Sequence, residues 1–270
     1  MIVGPGGARM ERVDVTREHP ARKVAEITLG FWLAKVVATT LGEVAGDAIA
    51  QTLNLGYVAG LAITLGLLAA FLVAQVRADR YRPFLFWATI VGTTTAGTEI
   101  ADLSTHTLNL GYNVTSAILF GGMLLTLGIW YLRRGTCDVS AVVDRESELF
   151  FWGAVLFSNS LGTAFGDGLV YVFGLTYTTG SLVCMAVIGA VLLLHYVARI
   201  NAAFIFWAAF VFTRPFGADF GNLLTKEAAK GGFGLNTFAT ALVCVLLLAG
   251  IVVCFERRQH LVDGRGRSPA

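Results

Sequence analysis

Charge is what this chain has least of. Only 14% of its 270 residues are Asp, Glu, Lys or Arg, against about 25% in a soluble domain. With 56% hydrophobic residues, that deficit excludes an ordinary water-soluble enzyme and excludes disorder. Proline is scarce, at 5 residues, so long helices run with few breaks. The four cysteines (Cys137, Cys184, Cys244 and Cys254) form no C-x-x-C pair, which leaves neither a disulfide framework nor a thiolate metal site. The four histidines are scattered, without an H-x-x-x-H pair. H-E-x-x-H, G-x-S-x-G and a phosphate-binding loop are missing too, so no enzyme is expected. A net charge of +2 gives no reason to expect nucleic acid. Residues 1–25 are polar, so no cleavable signal is expected ahead of the first apolar run.

Apolar length is what the chain has instead. About 20 mainly apolar residues cross a hydrocarbon core. Eight segments qualify: 27–50, 57–76, 83–105, 112–132, 148–170, 177–197, 202–224 and 235–255. An all-α, polytopic bundle of eight transmembrane helices is expected, with the lipid bilayer as its main partner. Sixteen of the 20 basic residues fall in the tails and in the loops after the second, fourth and sixth segments. Only Lys226 and Lys230 lie in loops on the other side. The positive-inside rule then makes both termini cytoplasmic. The chain divides into a tail (1–26), a first half (27–132, repeats 27–76 and 83–132), a linker (133–147), a second half (148–255, repeats 148–197 and 202–255) and a tail (256–270).

An internal repeat organises these segments. Phe-Trp occurs four times, ending at Trp32, Trp87, Trp152 and Trp207. Ten residues after each tryptophan comes Gly42, Gly97, Gly162 or Gly217, and four further on Gly46, Ala101, Gly166 or Gly221. The next position is Asp47, Asp102, Asp167 or Asn222. The string T-L-N-L-G-Y appears unchanged at Thr52–Tyr57 and Thr107–Tyr112, with an echo ending at Tyr177. The unit is two helices joined by an outward-facing turn. Because each unit holds an even number of helices, the four copies run parallel, about an axis along the membrane normal.

These four Phe-Trp units, spanning about residues 27–255, resemble a family of bacterial integral-membrane proteins with four tandem two-helix repeats of unknown function. The resemblance implies a fold and a topology, and a bacterial inner membrane as the location. It implies no activity, which must come from the residues.

The glycines four apart put small residues on one helix face, so the odd-numbered helices should pack closely there. The same face could instead serve a homo-oligomer. The tryptophans lie near the cytoplasmic flanks, where an anchoring or packing role is expected ahead of lining a cavity. Tyr57, Tyr112 and Tyr177 should mark the opposite interface.

Six of the 18 acids lie deep inside the spans, away from their edges: Glu43, Asp47, Glu99, Asp102, Asp167 and Asp219. All are on odd-numbered helices, 11 to 15 residues past a tryptophan, or roughly 16–22 Å along the axis. An ionised side chain at mid-bilayer costs about 2.5–3.5 kcal/mol on the mildest scale. Lys35 and Arg214 are the only bases sharing the spans, so protons, bound cations or water must offset the remainder. Lys35, Thr39, Glu43 and Asp47 form one stripe, as do Asn159, Thr163 and Asp167. Thr98 adjoins Glu99, and Asn222 follows Asp219 by three. Lys35 lies nearer the cytoplasmic end, where it could snorkel. Arg214 is read as a counter-ion to Asp219 or to an acid on another helix, with an anionic substrate as the alternative.

Converging stripes would offer carboxylate, amide and hydroxyl oxygens, a set suited to a bound divalent cation such as Mg²⁺, Ca²⁺ or Mn²⁺. A secondary transporter of a small cation, with proton coupling, is therefore expected. A proton-coupled carrier of a small organic or anionic solute is the alternative, and a structural membrane protein the third.

Overall fold

The computed structural model describes residues 22–198 and 201–265. The tail bases Arg9, Arg12, Arg17 and Arg267, and Arg199 after the sixth helix, lie outside the described residues. Eight long helices and no strand are present among the described residues. They are α1 (Leu29–Asp47), α2 (Gly56–Arg77), α3 (Pro83–Asp102), α4 (Gly111–Arg134), α5 (Arg145–Tyr171), α6 (Tyr177–Ala198), α7 (Ala202–Thr225) and α8 (Thr237–Arg265).

Local chemistry sets the helix ends. Thr28, Asp144 and Asn201 cap the first turns of α1, α5 and α7 by accepting from backbone N–H groups of Phe31, Ser147 and Ala203. Pro83 opens α3, where its missing N–H costs nothing. The T-L-N-L-G-Y string encodes the turn at the far end. α1 and α3 each run into a five-residue π-helical turn, Ala48–Thr52 and Leu103–Thr107. The chain then reverses through left-handed Asn54 (φ 56°) and Gly56 (φ 75°), repeated at Asn109 and Gly111. Asparagine and glycine tolerate that conformation best.

The odd-numbered helices form a closed inner ring, in which α1 packs on α3, α3 on α5, α5 on α7 and α7 back on α1. Each even-numbered helix packs on the inner helix of the following unit: α2 on α3, α4 on α5, α6 on α7 and α8 on α1. The repeat read from the sequence is thus not the packing unit. Its second helix reaches over its neighbour, and α8 laces the end of the chain to its beginning.

Glycine makes the ring tight. A Cβ on Gly42 would overlap the side chain of Thr94, one on Gly162 that of Arg214, and one on Gly217 that of Thr39. On Gly97 it would sit 2.9 Å from the Ser160 nitrogen. So the glycine ten positions past each tryptophan receives the next inner helix, seven or eight positions past its own. The small-residue face is consumed within the chain.

Five helices (α2, α4, α5, α6 and α8) are long and apolar enough to cross a membrane. The chain is a multi-pass membrane protein. The outer helices expose Leu65, Leu67, Ile118, Phe120, Leu182 and Leu242, as a lipid-facing surface does. α1, α3 and α7 are too polar for that count, and the ring shows why: their polar side chains face one another behind the outer helices.

Candidate functional site

The inner ring stacks its side chains in layers. Phe31, Phe86, Phe151 and Phe206 close one end, joined by the four tryptophans in edge-on and tilted contacts with centroids 5.0–6.5 Å apart. Trp87, Trp152 and Trp207 are buried and Trp32 is partly buried. The tryptophans therefore plug the bundle rather than anchor it at an interface. The shared register places all four on the inward face at one level. At the same end Lys23 is buried, pairing with Glu148 and donating to Val76 O at 2.9 Å. Gln75 donates to both Glu148 and Lys23 O at 3.0 Å. Lys23 is thus no free tail charge.

One layer deeper, Lys35 is fully buried. It donates to Asn159 Oδ1 at 2.9 Å and sits 3.8 Å above the Phe210 ring. Snorkelling is overturned, because α5 and α7 supply the oxygen and the π face the ammonium needs inside. Asn159 in turn donates to Thr93 at 3.0 Å. Thr39 and Thr163 bond back to carbonyls of their own helices, Thr163 to Asn159 O at 3.4 Å.

Arg214 and Glu43 form the centre. Arg214 Nη2 donates to Glu43 Oε2 at 2.9 Å and to Thr98 Oγ1 at 2.6 Å. Thr98 also bonds Glu43 at 3.2 Å, and Asn222 Nδ2 donates to Glu43 Oε1 at 3.1 Å. The counter-ion of Arg214 is therefore on another helix, and it is not Asp219. Arg214 Nε and Nη1 and Asn222 Oδ1 are buried without a partner.

At the far end come Asp47, Asp102 and Asp167, all buried. Lys226, just beyond α7, reaches in to bond Asp47 Oδ2 at 2.7 Å and Gln51 Oε1 at 3.2 Å. Asp102 and Asp167 lie within electrostatic reach of each other and of Lys226. Burial alone would lower the pKa of Lys226, but the surrounding carboxylates, Asp47 foremost with Glu43 and Asp167 behind it, together more than offset this and hold the ammonium above its ordinary value. An aromatic file skirts this end, its members ranging from exposed His106 to buried Tyr177. Tyr57 stacks on His106, His106 meets Tyr112, Tyr112 stacks on Tyr171, and Tyr171 shares a hydrogen bond with Tyr177.

Four of the six acids thus belong to the axis: Glu43, Asp47, Asp102 and Asp167. Glu99 and Asp219 do not. Glu99 turns to Gly60 on α2 and Asp219 to Gly180 on α6. A single six-carboxylate pocket is not formed, and among the described residues no three His, Cys, Asp or Glu side chains gather as a metal site requires. Sequence reasoning missed Lys226, Gln51, Glu148, Gln75 and the inward role of Lys23. For Lys226 the signal existed, since it is one of only two loop bases on its side.

The four units match the family described as Repeat of Unknown Function (DUF347), at residues 30–81, 85–136, 150–201 and 205–260. The chain belongs to this family. No curated protein and no solved structure matches it. The family boundaries follow the sequence repeat, each running from an inner helix through the outer helix that packs on the next unit.

Proposed function

We propose that this DUF347 protein is a secondary carrier of a small cation, not an enzyme. It crosses a bacterial inner membrane eight times with both termini cytoplasmic, and its path follows the axis of the inner ring. The observation that carries this reading is Lys226 in the far acidic layer. A cation, tethered to the chain, already occupies a site made of the buried Asp47 carboxylate and the exposed Gln51 amide oxygen, at the mouth of the ring, with Asp102 and Asp167 in electrostatic reach. Carboxylate, amide and hydroxyl oxygens suit a hard cation, of the Mg²⁺, Mn²⁺ or Ca²⁺ class, in the place the ammonium holds here. The aromatic plug and the Lys23–Glu148 pair seal the other end, which fits an occluded resting state of an alternating cycle.

The test is flux of Mg²⁺, Mn²⁺ and Ca²⁺ into proteoliposomes, with and without a pH gradient. Asp47→Asn and Asp102→Asn should each cut cation flux at least about tenfold, a loss of about 1.4 kcal/mol. No flux of any of the three with the unaltered protein would sink the reading. A second expected result concerns the tether. Lys226→Gln should tighten Mn²⁺ binding, read by the metal's paramagnetic resonance, by about tenfold. Weaker binding would place Lys226 in a supporting rather than a competing role.

One observation favours a second reading. The unpartnered Nε and Nη1 of Arg214 are buried donors, and a small anionic solute would satisfy both. Uptake of a carboxylate by the same vesicles, with no cation flux, would favour it.

A further inference from the structure

Glu99 and Asp219 are built unlike the other acids. Both are fully buried, and neither carboxylate has a hydrogen-bond partner. Each lies in a notch made by a glycine of the outer helix. A Cβ on Gly60 would stand 2.8 Å from Glu99 Oε1, and one on Gly180 would overlap Asp219 Oδ2. The two arrangements are copies. Each acid lies 12 residues past its tryptophan, and each glycine three residues past its tyrosine. One belongs to each half of the chain.

The other two units supply an internal contrast. Where the inner helix has Ala164 or Val44 at the matching position, the outer helix has Thr115 or Thr240 in place of glycine. Acid goes with glycine, and apolar side chain with threonine. Glycine is therefore not a general packing device here, since it appears where a carboxyl group must be housed.

The surroundings decide the occupant. Around Glu99, the ionisable groups in reach are Asp47 and Glu43 of α1 and the Tyr57 phenol at the start of α2, while Gly60 of α2 stands directly against the carboxylate. Around Asp219 they are Asp167 of α5, Glu43 of α1, Cys184 of α6 and Arg214 of its own helix. Arg214 is already paired with Glu43. Neither carboxylate is bonded to a base, since even the unpartnered Nε and Nη1 of Arg214 make no bond to Asp219, and among the described residues no three His, Cys, Asp or Glu side chains gather at either acid. An ionised carboxylate in such a place, without a partner, costs several kcal/mol at least, whereas a neutral carboxyl group is tolerated.

We infer that Glu99 and Asp219 are a matched pair of proton-binding sites, one in each half, set on the flanks of the inner ring beneath α2 and α6. They hold their protons as neutral carboxyl groups, apart from the axial acids that serve the cation. A rocking of α2 or α6 over its glycine notch would expose the carboxyl group and let the proton exchange. Their use in coupling rests on the carrier reading, but their state does not.

A lipid-soluble carbodiimide tests that state directly, because only a protonated carboxyl group reached from the apolar phase reacts. The acid O–H adds across one C=N bond, oxygen to carbon and hydrogen to nitrogen. The O-acylisourea then rearranges to a stable N-acylurea, and nothing leaves. The full chain in lipid, treated with dicyclohexylcarbodiimide and mapped by peptide mass, should carry label at Glu99 and Asp219 and not at Asp47. Labelling should fall as the pH is raised. Glu99→Gln should lose the α3 label and keep that on α7, and Asp219→Asn the reverse. Label confined to axial acids, or none at either flank at any pH, overturns the proposal. Because labelling needs no transport, it separates this inference from the carrier reading. In vesicles, the double variant should keep cation exchange and lose the response to a pH gradient. An unchanged response would deny the pair a coupling role.

Discussion

Replacing Arg214 by methionine is expected to destabilise the protein by about 3–5 kcal/mol, the cost of leaving a buried charge without its partner. Arg214 is fully buried and Glu43 nearly so. Glu43 would keep its hydrogen bonds from Thr98 and Asn222 but lose the base bonded to it, leaving only the more distant Lys226 in electrostatic reach. The pair joins α7 to α1, the seam that closes the ring, so the damage should spread to cation handling. The reciprocal change, Glu43→Gln, strands the guanidinium and should cost a similar amount. Together the two changes should recover most of the loss, because a neutral pair of similar volume needs no counter-charge. Midpoints of thermal unfolding in detergent, arranged as a double-mutant cycle, decide it. Additive losses would mean that the two side chains act separately, against the bonded geometry.

That pairing marks where the sequence stops being legible. Depth along each helix could be read, because the tryptophans supply a common origin and 1.5 Å per residue does the rest. The eight helices, their approximate ends and the close approach at Gly42, Gly97, Gly162 and Gly217 followed from the same register. Direction around the helix did not. Glu43 is 11 residues past its tryptophan and Glu99 is 12 past its own. One position is about 100° of rotation, enough to turn Glu43 to the axis and Glu99 to a flank. The sequence placed both in one pocket because nothing in it says where the axis lies. Lys35 fails for a related reason. Its partners, Asn159 and Phe210, belong to two other units, so only the closed ring shows why the ammonium stays inside. The reach of each outer helix over the following unit was equally out of sight, since a short turn suggests a hairpin whose two helices pack together.

The second large effect should come from the smallest addition. Gly97→Ala is expected to destabilise by about 1–3 kcal/mol, and Gly97→Val by more. The new Cβ would stand 2.9 Å from Ser160 N and 3.0 Å from Asn159 C, both backbone atoms that no rotamer change can move aside. α3 and α5 would have to part, and a closed ring cannot open one seam without straining the other three. The outer helices provide the control. Gly66, Gly121, Gly189 and Gly250 would meet nothing within 4 Å, so alanine there should be harmless, or stabilising by up to about 1 kcal/mol through helix propensity. Unfolding midpoints for the two sets should therefore move in opposite directions. Equal shifts would show that the ring is loose. At Gly162 packing and chemistry meet, because the side chain it receives is Arg214. Gly162→Ala should push the guanidinium off Glu43 without altering any charge. Its cation flux should then fall along with its stability, whereas Gly189→Ala should change neither for the worse.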